Sequence, residues 1–308
     1  MSTPVKLAAY VAVLALLVGG GWAVGSAVGP VSQAPEAAAQ VAESGGHGDA
    51  HSGGESAPAA PDLPGGLASS RDGYTMVPVV STLAPGAAET FAFRITGPDG
   101  APVTAFDVEH DKRMHLIVVR RDASAFQHVH PEMAADGTWS VPLTLPAGGS
   151  YRAFADFAPT GGQGVTLGVD LAAPGAFEPV ASHPSRVAEV DGYRVELTGD
   201  LVPGQASPVT LTMSRDGQPV TDLEPYLAAY GHLVALRDGD LAYLHVHPEG
   251  TPGNGRTPAG PSVEFVAEVP SAGTYRLFLD FQHAGVVRTA EFTVPTGADQ
   301  LGTDGHGH

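Results

Sequence analysis

Residues 115–132, HLIVVRRDASAFQHVHPE, are written a second time 117 positions later, as HLVALRDGDLAYLHVHPE over residues 232–249. Nine of the eighteen aligned positions are identical, among them all three histidines and the closing His-Pro-Glu. A second block repeats as well: YRAFADF at 151–157 and YRLFLDF at 275–281, now offset by 124. The seven extra residues fit in the loop TPGNGRTPAGP that follows the second HVHPE. Internal repetition at this spacing means two copies of one folded unit. At 308 residues the chain has room for two units of about 100 residues, each with its own core.

The units read as strands. In the first, residues 77–81, 90–95, 115–120, 126–130, 139–145, 151–157 and 165–171 are short, apolar or alternating, and rich in β-branched and aromatic residues. Turn clusters such as Gly97-Pro98-Asp99-Gly100 and Pro146-Ala147-Gly148-Gly149 separate them. The second unit repeats the pattern at 193–198, 209–213, 232–236, 242–247, 263–269, 275–281 and 286–294. About seven strands per hundred residues predicts an all-β chain of two tandem immunoglobulin-like antiparallel β-sandwich domains, at 72–182 and 183–296. The segment DLEPYLAAY at 222–230 carries a weak helical pattern and is read as a loop or edge segment.

The repeated block has the look of a hairpin. Arg237-Asp238-Gly239-Asp240 supplies turn chemistry, and Asp-Gly is a strong hairpin signal. With the turn centred between Gly239 and Asp240, His232 faces His247, and His245 shares their side of the strand by the period of two. In the first copy a centre between Asp122 and Ala123 sets His115 opposite His130, with His128 on the same side. A turn longer by one residue would destroy this register. Opposed Cβ atoms lie about 4.5–5.5 Å apart, so each hairpin can gather three imidazoles. Such a His₃ group suits Cu(II) or Zn(II). Equally, a strand histidine can bond a carboxylate or a carbonyl and serve only the fold.

The copies differ beside the histidines. Met114 aligns with Gly231 and Met133 with Gly250, so thioethers flank only the first hairpin. Soft sulfur favours Cu(I), which gives the first site a reading that includes both copper oxidation states. Met114 should point away from His115 and fill the core, leaving Met133 as the candidate ligand. The candidate metal ligands are therefore His115, His128, His130 and Met133 in the first unit, and His232, His245 and His247 in the second. Asp156 and Asp280, in the YRxFxDF block, are candidates for orienting an imidazole, or for pairing with Arg152 and Arg276. His110 and His283 lack counterparts and read as ordinary surface histidines.

Residues 7–28 carry no charge over 22 positions, enough to span a bilayer. Lys6 precedes them and the first charges beyond are Glu36 and Glu43, which sets the amino terminus in the cytoplasm and the rest outside. Residues 1–30 are thus an uncleaved anchor or, alternatively, a cleaved signal peptide. Residues 31–71 read as a disordered tether holding HGDAH, and 297–308 as a tail ending DGHGH; such tracts can hold metal loosely. Net charge is −18 with two lysines, Lys6 and Lys112, so nucleic acid is a poor partner. The chain has no cysteine, which excludes disulfides, thiolate metal sites and lipid attachment through cysteine. No hydrolase, metalloprotease or phosphate-loop motif is present, and the expectation is a protein that is not an enzyme.

With MHL…FQHVHPE and GHL…YLHVHPE in view, the chain resembles a group of exported, often membrane-anchored actinobacterial proteins of unassigned role. Their hallmark is this His…His-x-His-Pro repeat, over both β-domains. The resemblance implies heavy-metal handling, mainly of copper. The function expected is an anchored extracytoplasmic protein that buffers or passes copper or zinc. The alternative is a tethered immunoglobulin-like interaction module with structural histidines and a protein partner at the cell surface. A pH-sensing use of the clusters ranks third.

Overall fold

A computed structural model describes residues 64–297. The anchor or signal segment, residues 31–63 of the tether and residues 298–308 lie outside the described residues. Among the described residues no helix is long and apolar enough to cross a membrane.

The first domain runs β1 (Ser70–Arg71), β2 (Tyr74–Pro78), β3 (Ala88–Thr96), β4 (His115–Arg120), β5 (Gln127–Val129), β6 (Glu132–Met133), β7 (Thr138–Thr144), β8 (Gly149–Phe157) and β9 (Val165–Ala173). One sheet has the order β1-β2-β3-β7-β6 and the other β5-β4-β8-β9. Sandwiching a B-E-D order against a C-F-G order is the immunoglobulin arrangement, here with a short extra strand beside C. The second domain repeats it with β10 (Val187–Val190), β11 (Tyr193–Thr198), β12 (Ala206–Arg215), β13 (Gln218–Pro219), β14 (His232–Arg237), β15 (Tyr243–Pro248), β16 (Ser262–Glu268), β17 (Thr274–His283) and β18 (Val286–Pro295). There β15 pairs with β14 and then, at His247 and Pro248, with β16, so one strand joins the two sheets.

Both domains close the turn into β8 or β17 the same way. Tyr151 Oη donates to Ala147 O at 2.8 Å, and Tyr275 Oη to Ser271 O at 2.9 Å. This is the tyrosine corner of immunoglobulin-like sandwiches. The predicted strands are present, the first at Tyr74–Pro78 rather than 77–81, and β1, β6, β10 and β13 lie beyond those expected. Residues 222–230 form no helix, as expected.

Each sandwich has its own core. Alternation along β3 turns Phe91, Phe93 and Ile95 inward, where they meet Leu116, Val118 and Trp139 from β4 and β7. In the second domain Leu211, Met213, Leu233, Phe265 and Phe281 take the corresponding places. Strands β4 and β14 are different, because they are buried on both faces. Their other side chains, Ile117 and Val119 with Val234 and Leu236, form a third apolar cluster with Phe154, Tyr243 and Phe278. That cluster is the contact between the domains. Phe126 stacks on Phe278 with ring centroids 4.1 Å apart and planes 5° off parallel, and Tyr243 leans on Phe154 at 5.5 Å. In the repeat alignment Phe126 matches Tyr243 and Phe154 matches Phe278. The contact is therefore isologous: the same surface on each copy meets its equivalent.

The end of the expected tether belongs to the fold. Gly66 N donates to Thr166 O at 3.0 Å, and Tyr243 N donates to Gly65 O at 3.1 Å. The Arg152 guanidinium reaches the carbonyls of Gly66 (2.6 Å) and Leu67 (2.9 Å). Gly66 has φ of 72°, and a Cβ there would stand 2.3 Å from the Phe154 ring. Only glycine fits this strap between the domains.

Candidate metal centre

The hairpin register is the one expected. Leu116 pairs with Val129 and Ile117 with His128, while Leu233 pairs with Val246 and Val234 with His245. Because Leu116 and Val118 enter the core, the neighbouring positions His115, Ile117 and Val119 face the other domain. The histidines therefore collect at the edge of the interdomain contact.

His115, His128 and His130 each offer a ring nitrogen, and these atoms lie within 4.8 Å of one another. Two of the rings are held by the nitrogen they turn away from the group. His115 Nε2 lies 3.1 Å from Glu109 O, and a carbonyl can only accept, so Nε2 carries the hydrogen. His128 Nδ1 lies 2.8 Å from Asp280 Oδ2 and donates to it. The nitrogens left over, His115 Nδ1 and His128 Nε2, face each other at 3.1 Å. In neutral rings both present lone pairs. Two lone pairs at that distance repel unless a proton or a cation stands between them. His130 Nε2 is buried with no protein hydrogen-bond partner among the described residues.

Burial holds His130 down to about 3, reinforced by the neighbouring imidazoles of His128 and His115 and by Lys112. Burial first, and then His110, lowers His232 to about 4. Both rings are thus neutral near pH 7, the form that binds a metal. The donor set fits a borderline cation: imidazole nitrogens, with His115 fixed by a carbonyl and His128 by a carboxylate, as metal-ligating histidines typically are.

Several expectations change. Asp280 does orient an imidazole, but one of the other repeat: His128 belongs to the first domain and Asp280 to the second. Among the described residues Arg152 and Arg276 pair with other carboxylates. Arg152 pairs with Asp170 and Arg276 with Glu291, while Asp156 accepts from Thr166 and Tyr243. Met133 is half-buried and packs against the first sandwich core, paired with Trp139 in the sheet. Met114 is buried in the same core, as expected. His110 is no ordinary surface histidine. Its ring lies 6.1 Å from His115 and 5.2 Å from His232, centroid to centroid. His283 stays away from this cluster, between Tyr193 Oη and Asp222.

The second hairpin repeats the carbonyl lock. His232 Nε2 lies 3.0 Å from both Tyr226 O and Leu227 O, so its Nδ1 is the lone-pair nitrogen. His245 and His247 hold in β15 the backbone places that His128 and His130 hold in the first copy. Tyr226 lies beside the cluster, its ring 6.4 Å from His130 and 6.0 Å from His232. Burial, then the Asp280 charge, raises its hydroxyl pKa.

No curated protein matches the chain. Among solved structures it is similar to the Escherichia coli adhesin FdeC, with 14% identity over 74% of this chain and 65% of that one, TM-score 0.23. It is similar also to invasin, a bacterial integrin-binding protein, with 12% identity over 74% and 40%, TM-score 0.22. The Ig1-2 module of the Drosophila receptor tyrosine phosphatase DLAR matches at 9% identity over 73% and 99%, TM-score 0.20. The chain thus spans less than two thirds of the first two. A family model described as a domain of unknown function, DUF8832, matches residues 69–174 and again 188–298, which are the two sandwiches. With both matches together covering well over half of its length, the chain belongs to the DUF8832 family and carries that domain twice.

Proposed function

We propose that this is a metal-binding protein, anchored by residues 7–28 and exposed outside the cytoplasm, that buffers or passes copper or zinc. The ligands are His115, His128 and His130, and the second hairpin offers His232, His245 and His247. One observation carries the reading. His115 Nδ1 and His128 Nε2 face each other at 3.1 Å while a carbonyl and a carboxylate hold both rings from behind. An imidazole-only set favours Cu(II) and Zn(II) over Cu(I), and the packing of half-buried Met133 against the first core supports a site built without its thioether. The protein itself contributes binding rather than catalysis.

The His128–Asp280 bond also supports a second reading, in which the histidines tie two domains of an interaction module together and hold no metal. The test uses the full chain with His47, His51, His306 and His308 replaced by alanine, so that tether and tail cannot bind. It is titrated with Cu(II), Zn(II) and Cu(I), beside the same chain carrying His128→Ala and His130→Ala. Sub-micromolar binding, diminished in a variant that stays folded, is expected. A chain that binds no ion, and whose variant melts at far lower temperature, would assign the histidines to architecture.

A further inference from the structure

Building on that reading, we propose that the two repeats form one compound metal centre across their interface, in which His110 and His232 supply a second cation position beside His115, His128 and His130. The ligand class is a borderline divalent cation, Cu(II) or Zn(II), bound by imidazole.

The loop before β4 has an unusual backbone. His110 and Asp111 have φ of 48° and 62°, and the aligned Leu227 and Ala228 have 51° and 61°. The two loops share one backbone shape, a pair of left-handed residues that few side chains favour. The side chains differ: His110 and Asp111 in the first copy, Leu227 and Ala228 in the second. The shape turns Glu109 O onto His115 Nε2, and its equivalent turns Tyr226 O onto His232 Nε2. It also carries the His110 ring across to the other domain, 5.2 Å from His232 in an edge-on arrangement. His232 itself lies 6.4 Å from His128, whose Nδ1 is held by Asp280. Asp280 is in turn the strand neighbour of His232. One carboxylate of the second domain thus stands at the junction of both groups, accepting from His128 through Oδ2 and from Thr289 through Oδ1.

His110 and His232 come from different domains, and so do His128 and Asp280. A cation held by the first pair joins the domains directly. One held by the triplet joins them through the His128–Asp280 bond. The place of His110 is not repeated in the second copy, because Leu227 aligns with it. The second position is therefore not a copy of the first.

The experiment is Cu(II) loading of the full chain lacking the tether and tail histidines, followed by quantitation and electron paramagnetic resonance. Two equivalents with dipolar broadening between them are expected. His110→Ala, together with His232→Gln, which keeps a donor for the Tyr226 carbonyl, should return the chain to one equivalent with an isolated signal. His110→Ala alone, in a half-buried loop, should weaken the second equivalent while the fold persists. One equivalent unaffected by these variants would overturn the proposal and leave the triplet site standing, as would two equivalents with no magnetic interaction. Loss of all copper on changing His110 and His232 would replace two positions by a single shared ion and also overturn it. A chain that binds no copper or zinc at all would overturn this proposal and the proposed function together.

Discussion

Asp280 in the second domain accepts a 2.8 Å hydrogen bond from Nδ1 of His128 in the first, across 152 residues of chain. Both side chains are about 5% exposed, so water screens the contact little. The bond fixes which nitrogen of His128 faces His115. Asp280→Asn keeps an oxygen at the site but removes the charge that strengthens His128 as a donor to a metal. We expect metal affinity to fall about 10–100-fold, the usual effect of losing such an orienting group, with the fold retained. Competition titration against a chelator of known affinity measures this; an unchanged affinity would dismiss Asp280 as an orienting group.

The metal-free protein should lose stability in acid through the histidines. His130 and His232 have pKa values lowered to about 3 and about 4 in the folded state, against about 6.5 in an unfolded chain. Below 6.5 the unfolded chain therefore binds more protons than the folded one, and stability falls with pH. Their contribution is fully present above about pH 6.5 and is lost progressively toward pH 4 and then 3. Denaturant midpoints measured from pH 8 to 4 should decline over the lower part of that range. A smaller decline is expected in a His130→Gln, His232→Gln chain, and equal slopes would contradict the assignment.

Phe278 is wholly buried between the domains, stacked on Phe126. Phe278→Ala leaves a hole at the centre of the contact and should cost about 3–5 kcal/mol. Because Asp280 lies two residues further along β17, the same change should weaken metal binding without touching a ligand. Chemical denaturation and metal titration of one preparation check both effects.

The tyrosine corners permit a paired test. Tyr151→Phe and Tyr275→Phe each remove a hydroxyl that bonds a backbone carbonyl four residues upstream. Each should cost about 1–3 kcal/mol, the range for leaving a buried polar group without its partner. Each hydroxyl has a second partner, Ala147 N at 3.3 Å for Tyr151 and Ser271 Oγ at 3.4 Å for Tyr275, so the two losses should be similar. Denaturant midpoints of the two variants check this.

Much of this was legible in the sequence. The duplication, the strands and the hairpin register all follow from local pattern. The Asp-Gly turn of the second hairpin and a period of two in both lead to one register, and the structure has it, with Leu116 opposite Val129 and Leu233 opposite Val246. The candidate site was only half legible. HLIVVR has no polar position between its ends, a sign that both faces of β4 are covered, but nothing local says by what. Met133 could not be placed from sequence, since a thioether serves a core and a copper ion equally well. His110 was hidden because its reach comes from left-handed backbone in a loop whose partner copy carries leucine.

The sequence by itself determined two immunoglobulin-like sandwiches with three histidine positions on one side of each hairpin, because turn chemistry and alternation act over a few residues. Only the tertiary structure decided that the two copies meet through their histidine-bearing sheets. That docking rests on shape and apolar area: Phe126 on Phe278, Tyr243 on Phe154, Ile117 and Val119 beside Val234 and Leu236. It makes Asp280 the partner of His128 and brings His110 to His232. Such contacts join residues far apart in the chain, and the free energy that selects them belongs to two finished surfaces rather than to any segment.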